Sequence, residues 1–224
     1  MAIDLPPMRT DTGPIGTIFL SGSIPDPTRW EGEFDPLEIT DAVVTFARAC
    51  LTENFRIVTA AHPTLAPLLL YVAAEFPPSA EPLVQIYQSL LFDNVLPTAT
   101  RRFEAAGVGT LVWTEAHEGD HPEPGKWESS LEIMRAQMLE EADPDGAVFI
   151  GGMEGIRTEY ALFGDRFPGR PMCAIKRPGG EAARLSDLEM RSGLVGLKQD
   201  ATYPTLWRDF IRSVRDIDLE SGRS

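Results

Sequence analysis

The sequence predicts an α/β fold, a parallel sheet flanked by helices, and two observations carry that expectation. Short apolar runs of strand length alternate along the chain with segments whose apolar residues recur at helical spacing, the order that generates βαβ units. One of these runs, Val148-Phe149-Ile150-Gly151-Gly152-Met153-Glu154-Gly155-Ile156-Arg157-Thr158-Glu159, reads as a buried strand that passes through a glycine turn into a helix. Its glycines let backbone approach a ligand without Cβ clashes, and free amides in a first helical turn favour an anion. Gly152→Val is therefore expected to fill ligand space, with folding affected only secondarily. The bland alternative is a tight turn that packs helix on sheet.

The elements follow in order. Residues 1–14 are polar and proline-rich and read as a tail or edge segment. Ile15 to Leu20 forms the first strand, stopping at Ser21-Gly22-Ser23. Asp35-Pro36 is an N-cap followed by a first-turn proline, and Ile39, Ala42, Val43, Phe46, Ala47 and Cys50 behind it mark one packed helical face. Arg56–Ala61 (strand), Thr64–Glu75 (helix) and Leu83–Tyr87 (strand) repeat the unit. A loop at Phe92–Pro97, a helix near Thr100–Ala106 and a strand at Thr110–Thr114 come next. Glu115–Gly125 reads as a mobile polar loop before a helix from Trp127 to Glu141, whose Trp127, Leu131, Met134 and Met138 form a stripe. After strand Ala147–Ile150 and the glycine turn come a helix to Phe163, a strand Met172–Ile175, a helix or turn opened by Gly179-Gly180, and a closing amphipathic helix carrying Leu206, Trp207, Phe210, Ile211 and Val214. No repeat or linker divides the chain, so residues 15–215 are expected to form one domain, with 216–224 a tail.

Composition narrows the partners. A net charge of −14 disfavours a nucleic-acid duplex, which needs a basic stripe, while one or two placed arginines can still hold a small phosphate. The two cysteines, Cys50 and Cys173, and the three histidines show no ligand spacing, so neither structural metal nor disulfide is expected. No apolar run approaches membrane-spanning length and no leader pattern opens the chain, so a cytoplasmic location and no membrane partner are expected. No cofactor is implied.

In a doubly wound sheet, ligands bind beyond the carboxyl ends of the strands. Ser21, Gly22, Ser23, His62, Gln88, Gly151, Gly152, Met153, Glu154 and Gly155 are the ligand-binding candidates by that rule, with Ser89, Thr114 and Glu115 at neighbouring strand ends. Serines at a strand end, and a histidine before proline, serve equally well as turn caps.

Six segments stand in a telling order: Ile18 to Pro25, His62-Pro63-Thr64, Tyr87-Gln88-Ser89, Met134-Arg135, Ala147 to Gly155 with Glu159, and Gly179 to Ala183. Together they resemble the SLOG superfamily of Rossmann-like proteins, named for the Smf/DprA and Lonely-guy proteins, and within it the TIR- and PNP-associating branch. The resemblance implies a self-associating protein that binds a nucleotide or ADP-ribose-type small molecule. Lonely-guy enzymes cleave the N-glycosidic bond of nucleoside 5′-monophosphates through a Pro-Gly-Gly-x-Gly-Thr-x-x-Glu loop and an arginine on the preceding helix. Gly151, Gly152, Gly155 and Glu159 match that loop and Arg135 matches the arginine, which makes Glu159 and Arg135 the catalytic candidates. Ile150 and Ile156 replace the loop's proline and threonine, and one extra residue separates Gly152 from Gly155.

Three functions follow. The first is a binder that senses or processes a nucleotide-derived ligand, with bacterial conflict or phage defence as the context the branch implies. The second is a phosphoribohydrolase, in which Glu159 stabilises an oxocarbenium-like state or activates water and Arg135 orients phosphate. The third is a self-associating structural subunit with a vestigial pocket.

Overall fold

The computed structural model describes residues 13–79, 81–192 and 201–221. Among these residues six strands, β1 (Thr17–Ser23), β2 (Arg56–Ala60), β3 (Val84–Ser89), β4 (Thr110–Thr114), β5 (Gly146–Gly151) and β6 (Met172–Ala174), form one sheet in the order β4-β3-β2-β1-β5-β6. Every pairing is parallel, as the alternation of strand and helix requires. The winding direction reverses between β1 and β5, so the crevice of this sheet lies where those two strands end.

Among the described residues seven helices flank the sheet: α1 (Pro36–Thr52), α2 (Ala66–Ala73), α3 (Thr98–Ala105), α4 (Glu128–Ala142), α5 (Glu154–Arg166), α6 (Gly180–Ser192) and α7 (Tyr203–Ser221). Period-two alternation in β1 sends Ile18 and Leu20 into a core shared with α1, α2 and α7, and Phe19 into a second core shared with α4, α5 and α6. The predicted face of α1 is fully buried, and the Asp35 carboxylate caps the helix by accepting from the amides of Leu37 and Glu38. Trp207 of α7 closes over that face, edge-on to Phe46 and donating its indole N–H to Thr45 at 3.0 Å.

Three expectations are corrected. β1 extends through Ser23 and β3 through Ser89, because their last residues still pair in register, Ser23 with Gly151 and Ser89 with Thr114. Ser21, Gly22, Gln88 and Ser89 therefore belong to strands rather than to the turns after them. The predicted loop at Phe92–Pro97 overlaps a 3₁₀ turn spanning Leu90–Val95, started by Ser89, whose hydroxyl accepts from the Leu91 amide. The Glu115–Gly125 segment is tied down: Trp127 offers α4 no side-chain cap, and Asp120 supplies it from the loop by accepting from the Ser130 amide at 2.7 Å. Ser130 in turn accepts from the His117 amide at 2.9 Å, and the hydrogen bonds that Ser130 gives Asp120, first from its backbone and then from its side chain, hold that carboxyl below its usual range.

Candidate functional site at the carboxyl edge of the sheet

The end of β1 and the first turns of α5 meet here. Residues i and i+4 on a helix share a face, so Gly155 and Glu159 look together toward β1 and α4. The Glu159 carboxylate is almost fully buried and accepts on both oxygens: Arg135 Nε donates to Oε1 at 3.0 Å and the Ser21 hydroxyl donates to Oε2. Arg135 is itself only 12% exposed, so its charge is matched in place rather than in solvent. A carboxylate and a guanidinium, separated by 24 positions in sequence, are thus joined with a hydroxyl 138 positions from the acid. The arrangement presents an acid and a cation of fixed geometry beside the strand crossover.

The glycine turn serves close packing, the alternative that the sequence also allowed. Gly151 and Gly152 both have positive φ, +61° and +72°, a region L-residues rarely adopt. The Gly152 amide donates to the Ser23 carbonyl at 2.7 Å, and its carbonyl accepts from the Glu181 amide at 2.9 Å, so neither group is open to a ligand. A Cβ at Gly152 would overlap the Ile156 side chain, and one at Gly151 would lie 2.7 Å from the Ser23 carbonyl. Gly180 packs onto Gly151 in the same way, a Cβ there lying 2.5 Å from the Gly151 carbonyl carbon. The turn is a three-way backbone contact of β1, β5 and α6, and Gly152→Val attacks folding first. Gly155 differs: a Cβ there would meet only Arg135 Nη2, at 3.2 Å.

The free N–H groups expected of the turn lie one step later. Met153 is the N-cap of α5 in an extended conformation and gives no side-chain cap, and Glu154 follows as an exposed first-turn acid. Uncapped helix starts leave amide donors without intrahelical acceptors.

The remaining candidates spread along the edge. Gly22 belongs to the opposite face of β1, where a Cβ would lie 2.8 Å from the Ile150 carbonyl oxygen and 2.9 Å from Leu65 Cδ1; close packing demands that glycine. Ser23 is buried at the strand end. His62 begins α2 with its carbonyl, and its Nδ1 lies 2.8 Å from the Thr64 hydroxyl, which also accepts from the Ile24 amide at 3.2 Å. Burial, then the neighbouring Arg29 guanidinium, push the imidazole down to about 4, so it is neutral near pH 7. Gln88 is buried, with its side-chain oxygen accepting from the Ser89 amide at 3.0 Å. Among the described residues no group of three or more His, Cys, Asp or Glu can hold a metal ion, and no helix is long and apolar enough to cross a membrane.

Sequence reasoning missed a second charged cluster on the other flank of α5. Glu181, in the first turn of α6, has a side chain only 1% exposed, and its carboxylate accepts from Arg157 Nε at 2.8 Å and from Arg184 Nη1 at 3.2 Å. The Glu181–Arg184 spacing of three was visible in the sequence; the approach of Arg157 was not, because it depends on α5 and α6 lying side by side.

A six-stranded parallel sheet of this order, with its charged constellation at the β1/β5 crossover, is a Rossmann-like architecture. Within that class the chain belongs to the SLOG cluster3 family, whose model matches residues 29–211, and so to the SLOG superfamily. A solved structure titled "X-ray structure of TM1055, Northeast Structural Genomics Consortium target VT76" is similar over 77% of this chain and 81% of that one, at 15% identity and a TM-score of 0.49. No curated protein matches the chain.

Proposed function

We propose that this protein binds a nucleotide-derived small molecule, of mononucleotide or ADP-ribose type, at the carboxyl edge of the sheet beside α5. The observation that carries the reading is the Ser21–Glu159–Arg135 constellation next to the uncapped start of that helix. Membership of a SLOG family supports nucleotide-related binding or processing. Within the constellation, Glu159 can accept from ribose hydroxyls, and Arg135 retains donors beyond the Nε that it gives to Glu159. Ser21 orients the acid.

Binding without turnover is favoured over hydrolysis because Ile156 fills the space above Gly152 and the Gly152 amide is engaged by Ser23, which removes part of the phosphate cradle that the Lonely-guy loop would need. The setting we propose is the cytoplasm, in bacterial conflict or phage defence as in the TIR- and PNP-associating branch, with the protein acting as a homo-oligomer.

The test is calorimetric titration of AMP and ADP-ribose into wild type and Glu159→Gln. Weakening by roughly 1–3 kcal/mol in the variant is expected, the cost of losing a charge-assisted hydrogen bond. Release of free base from AMP by the wild type, reduced on the order of 10²-fold or more in the variant, would establish the hydrolase instead. Absence of binding to either nucleotide would leave the structural-subunit reading.

A further inference from the structure

At the carboxyl edge the His62 imidazole and the Arg29 guanidinium are neighbouring donors that share no acceptor. The register that pairs Thr17 with Arg56 and Phe19 with Val58, carried onward, sets Ser21 opposite Ala60 and Ser23 opposite His62. Adjacent strands lie about 5 Å apart, so His62 stands one strand across from the end of β1 and just beyond the Ser21–Glu159 pair. A nucleotide-sized ligand spans that gap.

Hydrogen bonding fixes which nitrogen of His62 carries the proton. Nδ1 accepts from the Thr64 amide at 3.3 Å, and the Thr64 hydroxyl, which accepts from the Ile24 amide at 3.2 Å, has its own proton free to donate to Nδ1 at 2.8 Å. The ring is neutral near pH 7, since burial and then Arg29 hold it down to about 4. A neutral ring with Nδ1 accepting is protonated on Nε2. Among the described residues Nε2 has no partner, yet it is not one of the partnerless polar atoms sealed from water. Its N–H is therefore a donor that solvent and ligand can reach.

Arg29 is brought beside it by the backbone. The amides of Arg29 and Trp30 donate to the Asp26 carbonyl at 3.0 Å and 2.9 Å, a turn that follows the exit of β1, and the Ile24–Thr64 hydrogen bond ties that exit to the His62 segment. Arg29 is exposed, and among the described side chains only Arg29 and Arg102 of the lysines and arginines lack an ion pair. In a chain of net charge −14 acids are plentiful, so an unpaired cation at the ligand edge stands out. Asp26 is the nearby acid. Its Oδ1 accepts from the Thr28 amide at 2.8 Å and the Thr28 hydroxyl at 2.7 Å, and Arg29 is the smallest of the influences that lower its pKa.

We infer that His62 Nε2 and Arg29 form a subsite for a second phosphoryl group, so that the ligand of this edge is a nucleoside diphosphate or an ester of one rather than a mononucleotide. The inference rests on the nucleotide reading above and chooses between its two ligand types. A full charge on Arg29 favours an anion over a base carbonyl, and its planar fork matches phosphoryl oxygens. The neutral imidazole adds a directed donor without a second charge.

AMP, ADP and ADP-ribose, titrated separately by calorimetry into the full chain, test the subsite. ADP and ADP-ribose are expected to bind about tenfold more tightly than AMP, the scale of one charge-assisted contact. Arg29→Gln, at an exposed position, is expected to remove that advantage and leave AMP affinity unchanged, with Arg29→Lys intermediate because it keeps the charge and loses the fork. In nuclear magnetic resonance spectra of the wild type, the ring signals of His62 are expected to move more with ADP than with AMP, and those of His117 and His121, in the loop after β4, serve as references. Equal affinity for the three nucleotides, a diphosphate preference that survives Arg29→Gln, or a His62 signal that answers AMP and ADP alike overturns the subsite, while the nucleotide reading stands on the binding of AMP. Failure of all three to bind the wild type overturns both.

Discussion

Glu159 is held by two partners that a sequence cannot display together, Ser21 from β1 and Arg135 from α4. That geometry gives the residue a structural duty beside any ligand role. Charge removal in Glu159→Gln strands Arg135 in a nearly dry site, so the binding test above must be read on protein shown to be folded. His62 carries a second prediction at this scale. Its imidazole titrates at about 4 in the folded protein against 6.5 for the free side chain, so the folded state binds fewer protons. The stability it contributes is complete above pH 6.5 and is lost as pH falls toward 4. Partial exposure discounts the effect to about 1–3 kcal/mol. Denaturant unfolding of wild type and His62→Gln at pH 7.5 and pH 4.5 is expected to show the wild type losing that much more; an equal difference at both pH values would refute it.

Among the elements, the strand-to-helix turn after β5 decides most. Valine at 152 must adopt a positive φ and displace Ile156, two costs of about 1–3 kcal/mol each. Gly152→Val is therefore expected to lower the unfolding midpoint in urea sharply, before any question of binding arises. Gly155→Ala, whose new methyl meets only the end of Arg135 and which replaces a helical glycine, is expected to be neutral or slightly stabilising. Comparable losses in both variants would contradict the assignment of the turn to packing. The α4 stripe belongs at this scale too. Met134 and Met138 are buried in the second core, Leu131 packs partly against it, and Trp127 meets Phe92 edge-on at a centroid distance of 5.5 Å. The second core and the 3₁₀ turn cover most of this stripe.

For the whole molecule, self-association remains a proposal, and Tyr71, Leu90, Val95 and Leu188 are the more exposed apolar side chains available to it. Light scattering at micromolar concentration is expected to give a mass above one chain. Met138→Ala should cost about 2–5 kcal/mol of stability while leaving that mass unchanged, because its side chain is core. A monomeric wild type would count against the proposal.

The alternation of strand and helix, the α1 cap at Asp35 and the buried face behind it were legible in the chain because each depends on neighbours within one or two helical turns. Glu159 and Arg135 were legible as candidates through their position in a resembling motif. Only the tertiary structure decided that Ser21 orients the acid, that Gly152 makes room for Ile156 rather than for a ligand, and that Arg157 and Arg184 converge on Glu181. The physical reason is range: helix periodicity and capping are local, whereas burial of an ion pair and the clearance above a glycine are set by which elements the sheet order brings side by side.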